Sequence, residues 1–332
     1  MTNTIHIAAT GCYLPPVVMS NEELIERFGL DVDAKWIESR TGIQSRHWMA
    51  PEQTTSDMAA EAARAILETA GLDAADLDRI ILATISPDRL SPATATEVAR
   101  KIGARCPAFD VSAACAGFLY ALDLARGAVL GSGETNVLVL AADARSRFVD
   151  TSDRRGTVLF ADGAAGALVR PAVAGPGVPS VLSVALGAEG LETRGAWIPA
   201  GGAAMPASHE TVDNGDHFVH VDGFREIFER FKAYTREGVR EALGRAGLDL
   251  GDIDVFINHQ GNAYLVDEIV ADLGIDPAKA INDVYRHGNT SGASVAIALA
   301  EGRADGRIQD GAKVLISAAG AGWTFGAAVV QF

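Results

Sequence analysis

Along the chain, apolar positions fall into two alternating patterns: alanine-rich stretches with helical spacing, and short unbroken apolar runs of strand length. AAEAARAILETAG (59–71) has the first pattern and RIILATI (79–85) the second, with AGLDAADLD (70–78) between them. The same succession returns as REGVREALGRAG (236–247), AGLDLGDID (246–254) and VFINHQ (255–260), displaced by 176 residues. Two small-residue helices, CAGFLYALDLA (115–125) and SGASVAIALAE (291–301), follow at that offset and set Cys115 opposite Ser291. SGETNVLVLAAD (132–143) and IQDGAKVLISAAG (308–320) close the two series. Helix, buried strand, helix and strand, used twice, predict an α/β fold of two related halves. The strands lack polar alternation, so helices are expected on both faces of each sheet. The Pro/Gly-rich PAVAGPGVPS (171–180) puts the boundary near residue 171, giving halves 1–171 and 172–332. GAWIPAGGAAMPASHETVDNGD (195–216) breaks both periodicities and reads as a long excursion, of the kind that often forms a lid or binding loop.

Composition narrows the partners. The 332-residue chain is 48% hydrophobic and 21% charged, ordinary for a globular protein with an ample core. Its formal net charge of −15 argues against nucleic acid or an anionic membrane surface as the main partner. Cys12, Cys106 and Cys115 form no CxxC pair and no zinc spacing, so neither a disulfide scaffold nor a metal site is expected. The start, MTNTIHIAATG, lacks the pattern of a secretory signal. No charge-free apolar run of about 18 residues predicts a membrane span. A soluble, cytoplasmic protein is expected, where a reactive thiol stays reduced.

Three positions carry candidate chemistry. In DVSAACAGF (110–118), Cys115 lies at or near the start of an apolar helix, where unpaired N–H groups and the dipole favour a thiolate. Such small neighbours equally suit a packing residue, and the stretch alone leaves both readings open. INHQGN (257–262) directly follows a strand and RHGNTSGAS (286–294) leads into a helix, placing His259 and Asn289 on turns at a similar level. A neutral imidazole and a carboxamide beside a thiolate can bind a carbonyl oxygen as it becomes negative, which suits thioester chemistry. His287 is expected to brace its loop. His217 and His220, in HFVH, lack the carboxylate or cysteine that would complete a metal site. ADGAAGA (161–167) lacks the lysine and spacing of a phosphate loop and reads as close helix–strand packing. Cys12 and Cys106 read as packing residues.

Six segments extend these motifs: WIESRTGIQSRH (36–47), CPAFDVSAACAGFLYAL (106–122), DRRGTVLFADGAAGA (153–167), INHQGN, RHGNTSGAS and GAGWTFGAAVVQF (320–332). In this order, and from end to end, the sequence resembles the type III β-ketoacyl-acyl-carrier-protein synthases of the thiolase-like superfamily. The resemblance implies a duplicated, five-layered α-β-α-β-α fold, usually a homodimer. It implies that Cys115 is the acylated nucleophile and that His259 and Asn289 hold a malonyl thioester carbonyl during decarboxylation. Backbone N–H groups of Cys115 and of the 320–322 turn, centred on Ala321, would form the oxyanion hole. Trp36, Arg40 and Arg155 match coenzyme A contacts. Ser91 matches an acyl-pocket position where some relatives carry a bulky aromatic. The implied partners are an acyl-CoA and a malonyl thioester, with an acyl carrier protein as one candidate carrier, and no metal or redox cofactor. Three further departures are HQGN for the usual HQAN, Tyr264 for an arginine implicated in carrier-protein docking, and Ala321 for the middle of a glycine triplet. Two other readings remain on sequence: acyl transfer from Cys115 to a hydroxyl or amine, and a non-catalytic partner subunit, which generally lacks the cysteine.

Overall fold

The apolar runs pair into two five-stranded sheets of the same topology. The computed structural model describes the chain apart from residues 1–2, 174, 176, 191–194 and 222. In the first sheet the order is Asn3–Tyr13, Asp162–Val173, Val137–Ala144, Arg79–Ala83, Ala108–Val111. The last three are parallel, Asp162–Val173 runs antiparallel to Val137–Ala144, and Asn3–Tyr13 runs antiparallel to Asp162–Val173. The second sheet repeats this order backwards from its other edge: Ala280–Ile281, Val255–Asn258 and Lys313–Gly320 are parallel, then Thr324–Gln331 and Ser180–Ala188 are antiparallel.

The layers follow from which residues have no polar face. Helices Gly117–Ser132 and Ser294–Ala304 lie between the sheets, where Leu122 and Leu299 share one core cluster with Val139 of the first sheet and Ile316 of the second. Burial from both sides explains their small apolar composition, since bulky or charged side chains would hold the sheets apart. By length and composition Ala114–Ser132 could cross a membrane, but Phe118, Leu119, Ala121 and Leu122 are fully buried in this central layer. Helices Thr55–Ala70 and Thr94–Ile102 cover the outside of the first sheet through Met58, Ile66 and Val98. Helices Phe224–Ala246 and Ala263–Leu273 cover the second through Val239 and Ile269. The result is the duplicated five-layered α-β-α-β-α arrangement.

Each central helix begins with a single 3₁₀ turn, Ala114–Ala116 or Ser291–Ala293. These turns are one residue further apart in sequence than the 176-residue repeat, so Ala114, not Cys115, is the structural counterpart of Ser291. Both counterparts adopt a left-handed backbone, with φ of 44° and 54°. The two turns meet where the parallel strands of both sheets end, the usual place for ligands in such sheets. The excursion folds back through a short antiparallel pair, Ala196–Trp197 with His220–Val221, over this junction.

Candidate active site

Cys115, His259 and Asn289 line a single cavity of about 500 Å3. Trp36, Arg40, Arg154 and Arg155 also line it, and Phe228 and Phe231 of the helix Phe224–Ala246 form an apolar wall. A second cavity, of about 570 Å3, shares Cys115, Phe160 and Ala321 with the first and adds Ile85, Arg145, Trp197 and Ile198. Cys115 therefore sits where two chambers join. The excursion supplies Ala196, Trp197 and Ile198 to these walls, so it is part of the binding surface.

Cys115 occupies the 3₁₀ turn ahead of its helix, as expected, but the expected thiolate does not follow. Burial pushes its thiol up to about 12, with the Asp143 carboxylate adding to the push. Contact with Ser291 Oγ at 3.9 Å, the Arg145 charge and its own backbone N–H pull the other way and are outweighed. Desolvation of a thiolate here exceeds what one helix terminus returns. The turn Gly320–Gly322 presses against the backbone of Cys115: a Cβ on Gly320 would lie 2.6 Å from Cys115 N, so only glycine fits. Ala321, next to it, lines both cavities.

His259 directly follows the strand Val255–Asn258, and its N–H is fixed to Ser317 O at 2.9 Å. Burial lowers its pKa to about 4, so the ring is neutral near pH 7. Its Nδ1 lies 2.8 Å from Ser294 Oγ, and Ser294 Oγ accepts the Gln260 N–H at 3.2 Å. The Ser294 hydroxyl keeps a proton to donate to Nδ1, and on that assignment the ring proton sits on Nε2. Phe231 stacks on the ring at 6.0 Å and 22°.

Asn289 is held by its backbone, donating to Leu159 O at 2.9 Å and accepting from Ala161 N at 2.8 Å. Its Oδ1 accepts the Ser291 N–H at 2.9 Å, so Nδ2 is the end left for a ligand. Gly261 shows how closely the donors converge: a Cβ there would lie 2.8 Å from His259 Nε2 and 3.4 Å from Asn289 Nδ2. Two neutral N–H donors thus face one small space, the arrangement that binds an oxygen gaining negative charge. His287 lies beside this set but turns away, with Nε2 2.9 Å from Glu301 Oε2.

At the outer wall, of the adjacent Arg154 and Arg155, it is Arg154 that lies over the Trp36 ring, 5.1 Å from its centroid. Arg155 pairs with Asp153 at 2.6 Å. Asn262 Nδ2 donates to Arg40 O at 3.0 Å, tying the helix Ala34–Thr41 to the loop of His259. Tyr264 is half-exposed, and its hydroxyl donates to Glu38 O at 3.0 Å. Within the single chain Ser91 is exposed, on a projecting turn, and lines neither cavity. Asp88, bonded to Ser56, and Thr94, bonded to Asp110, hold the two ends of its turn so that the tip projects, leaving Leu90 85% exposed. Sequence reasoning missed Arg145, Arg154 and Ser294. The available signal for Arg145 was an arginine directly after the strand VLVLAADA (137–144), apolar but for Asp143 and buried throughout.

Family models describing 3-oxoacyl-[acyl-carrier-protein] synthase III match residues 109–190, and its C-terminal part matches 243–332. The β-ketoacyl-[acyl-carrier-protein] synthase III of Rhodospirillum rubrum is 42% identical over 329 residues, 98% of either chain. That of Solibacter usitatus is 40% identical over 327 residues, 97% of either. Among solved structures, the synthase III of Aquifex aeolicus superposes with a TM-score of 0.88 at 34% identity, over 99% of this chain and 100% of that one. A priming β-ketosynthase from a polyketide biosynthetic pathway gives 0.88 at 33% identity, over 99% and 96%. With this agreement over nearly its whole length, the chain belongs to the 3-oxoacyl-[acyl-carrier-protein] synthase III family of condensing enzymes.

Proposed function

We propose that this condensing enzyme loads an acyl group from an acyl-CoA onto Cys115 and extends it with a malonyl thioester. The observation that carries this is the placing of Cys115, His259 and Asn289 on one cavity whose outer wall bears Trp36 and arginines. In loading, Cys115 Sγ attacks the thioester carbonyl, the bond to the coenzyme A sulfur breaks, and the thiol proton leaves on coenzyme A. The oxygen is negative during this step, and the N–H groups of Cys115 and Ala321 stabilise it. A thiol with a pKa near 12 is unreactive at rest, so attack and proton loss are coupled through the bound thioester.

In the second stage the malonyl thioester oxygen accepts hydrogen bonds from His259 Nε2 and Asn289 Nδ2. The bond between the malonyl carboxylate and C2 breaks, carbon dioxide leaves, and the electron pair passes into the thioester as an enolate. C2 then attacks the acyl-Cys115 carbonyl, and collapse of that intermediate breaks the C–S bond and releases Cys115 as a thiolate, which takes one proton from solvent to restore the thiol. The electrons balance without a redox group or metal, because the departing carbon dioxide leaves its bonding pair on C2. A neutral His259 fits this role: it donates a proton in a hydrogen bond without protonating the enolate.

Trp36, Arg40, Arg155 and the neighbouring Arg154 suit an adenine face and phosphates. They equally suit the phosphopantetheine arm of a carrier protein, so either carrier fits the malonyl unit. A homodimer in the cytoplasm completes the proposal, and three free thiols suit a reducing compartment. The test uses His259→Ala and Asn289→Ala. Each should slow decarboxylation about 100-fold or more while Cys115 still takes up acyl groups. Equal loss of loading and decarboxylation would overturn the division of roles.

A further inference from the structure

We infer that Arg145 makes this enzyme selective for a starter acyl group that ends in a carboxylate, a dicarboxylic acid bound through one end as the thioester. The inference rests on the reading above that Cys115 is acylated. The cavity that Arg145 shares with Cys115 is otherwise walled mainly by apolar side chains, among them Ile85, Phe160, Trp197 and Ile198. Arg145 is only 3% exposed, and its Nε is sealed from solvent without a hydrogen-bond partner. Among the described residues, no carboxylate lies within ion-pair distance of its guanidinium, which lies over the Phe160 ring, 4.8 Å from the centroid.

The two carboxylates whose charges reach Arg145 are already occupied. Asp143 accepts from Ile85 N and Gly292 N at 2.9 Å and from Ser86 Oγ at 3.1 Å. Asp162 accepts from Met49 N at 2.8 Å and from Ser146 N at 2.7 Å. Neutral donors thus take up both acids, while the guanidinium keeps its own hydrogen-bonding capacity.

A buried cation without a partner is costly, and a planar five-donor guanidinium is best satisfied by a carboxylate held through two oxygens. Asp143 and Asp162 compensate its charge at a distance but accept no hydrogen bond from it, so an acceptor for its N–H groups must come from the cavity contents. An alkyl starter would leave Arg145 unpaired, and a pocket built around a polar group rejects an analogue lacking it more strongly than an apolar pocket rejects a missing methylene. The loading step is unchanged: the C–S bond to coenzyme A is exchanged for one to Cys115, the thiol proton leaves on coenzyme A, and the distal carboxylate does not react.

The experiment offers succinyl-CoA and butyryl-CoA together at equal concentration and reads the adduct on the Cys115 peptide by mass spectrometry. Wild type, Arg145→Met and Arg145→Lys are compared, with thermal denaturation as a folding control. Wild type should favour the succinyl adduct. Arg145→Met should lower the succinyl-to-butyryl ratio about 100-fold or more, and Arg145→Lys should fall between. Preference of the wild type for butyryl overturns the inference. So does an unchanged ratio in Arg145→Met, since a residue that only braced Phe160 or tuned Cys115 would affect both donors alike. The wild-type preference alone decides the matter if a variant fails to fold. Absence of any adduct, with acetyl-CoA also tried, removes the acylation reading itself and this inference with it.

Discussion

Replacing Ser294 by alanine tests the electrostatic design around His259 without touching any group that meets the substrate. Ser294 is 2% exposed, and its hydroxyl serves two neighbours, His259 Nδ1 at 2.8 Å and Gln260 N at 3.2 Å. Alanine leaves both without that partner, and an unsatisfied buried group costs about 1–3 kcal/mol. The ring can relieve its share by moving the proton to Nδ1 or by rotating, and either removes the donor from Nε2. If the tautomer preference carries about 1–3 kcal/mol, the enolate loses that much stabilisation and decarboxylation slows about 5- to 150-fold. The assay measures carbon dioxide release from a malonyl thioester beside the rate of Cys115 acylation by an acyl-CoA. Decarboxylation should fall while acylation stays within a few-fold and the thermal midpoint drops only modestly. Unchanged decarboxylation in a folded Ser294→Ala protein would refute the assignment of the proton to Nε2. Parallel loss of both rates would point to a packing role.

Three further outcomes follow from the same geometry. Gly261→Ala restores the alanine usual in the family, with its methyl 2.8 Å from His259 Nε2 as the ring now lies, so the ring must yield by a few tenths of an ångström; decarboxylation should stay within a few-fold, and a loss of about tenfold or more would show that Ser294 and Phe231 pin the ring. Burial holds the His259 pKa near 4, below its unfolded value of about 6.5, so the folded chain resists a proton that the unfolded chain accepts. This contribution to stability is full above pH 6.5 and is lost as pH falls toward 4; denaturation curves of wild type and His259→Gln should therefore converge across that window, by about 3 kcal/mol at most. Trp36→Ala should raise KM for acyl-CoA about tenfold with little change in kcat, whereas a fall in kcat alone would remove Trp36 from coenzyme A binding.

The sequence made Cys115, His259 and Asn289 legible because each directly follows a buried strand or opens a central helix. Local pattern and tertiary position coincide at those points. The repeat was legible for the same reason, since AGLDAADLD and AGLDLGDID mark equivalent helix-to-strand turns. Where the two levels separate, the sequence was silent or misleading. Helix-start position argued for a Cys115 thiolate, but burial, which depends on chain far away in sequence, outweighs it. Nothing in DRRGTVLF sets Arg154 apart, and only the folded geometry shows it over the Trp36 ring. Ser294 looked like one more small residue in a small-residue helix until the ring of His259 was beside it.

The most direct test of the central claim is a single turnover followed on one peptide. The protein is acylated with a labelled acyl-CoA, freed of excess donor, and digested before and after addition of a malonyl thioester. Mass spectrometry of the peptide containing residues 110–118 should show the label on Cys115. On addition of the malonyl donor, the label should leave as a β-ketoacyl thioester together with one equivalent of carbon dioxide, and Cys115→Ala should never acquire it. Label on another residue, or its release from Cys115 as the free acid with no carbon–carbon bond formed, would contradict the account.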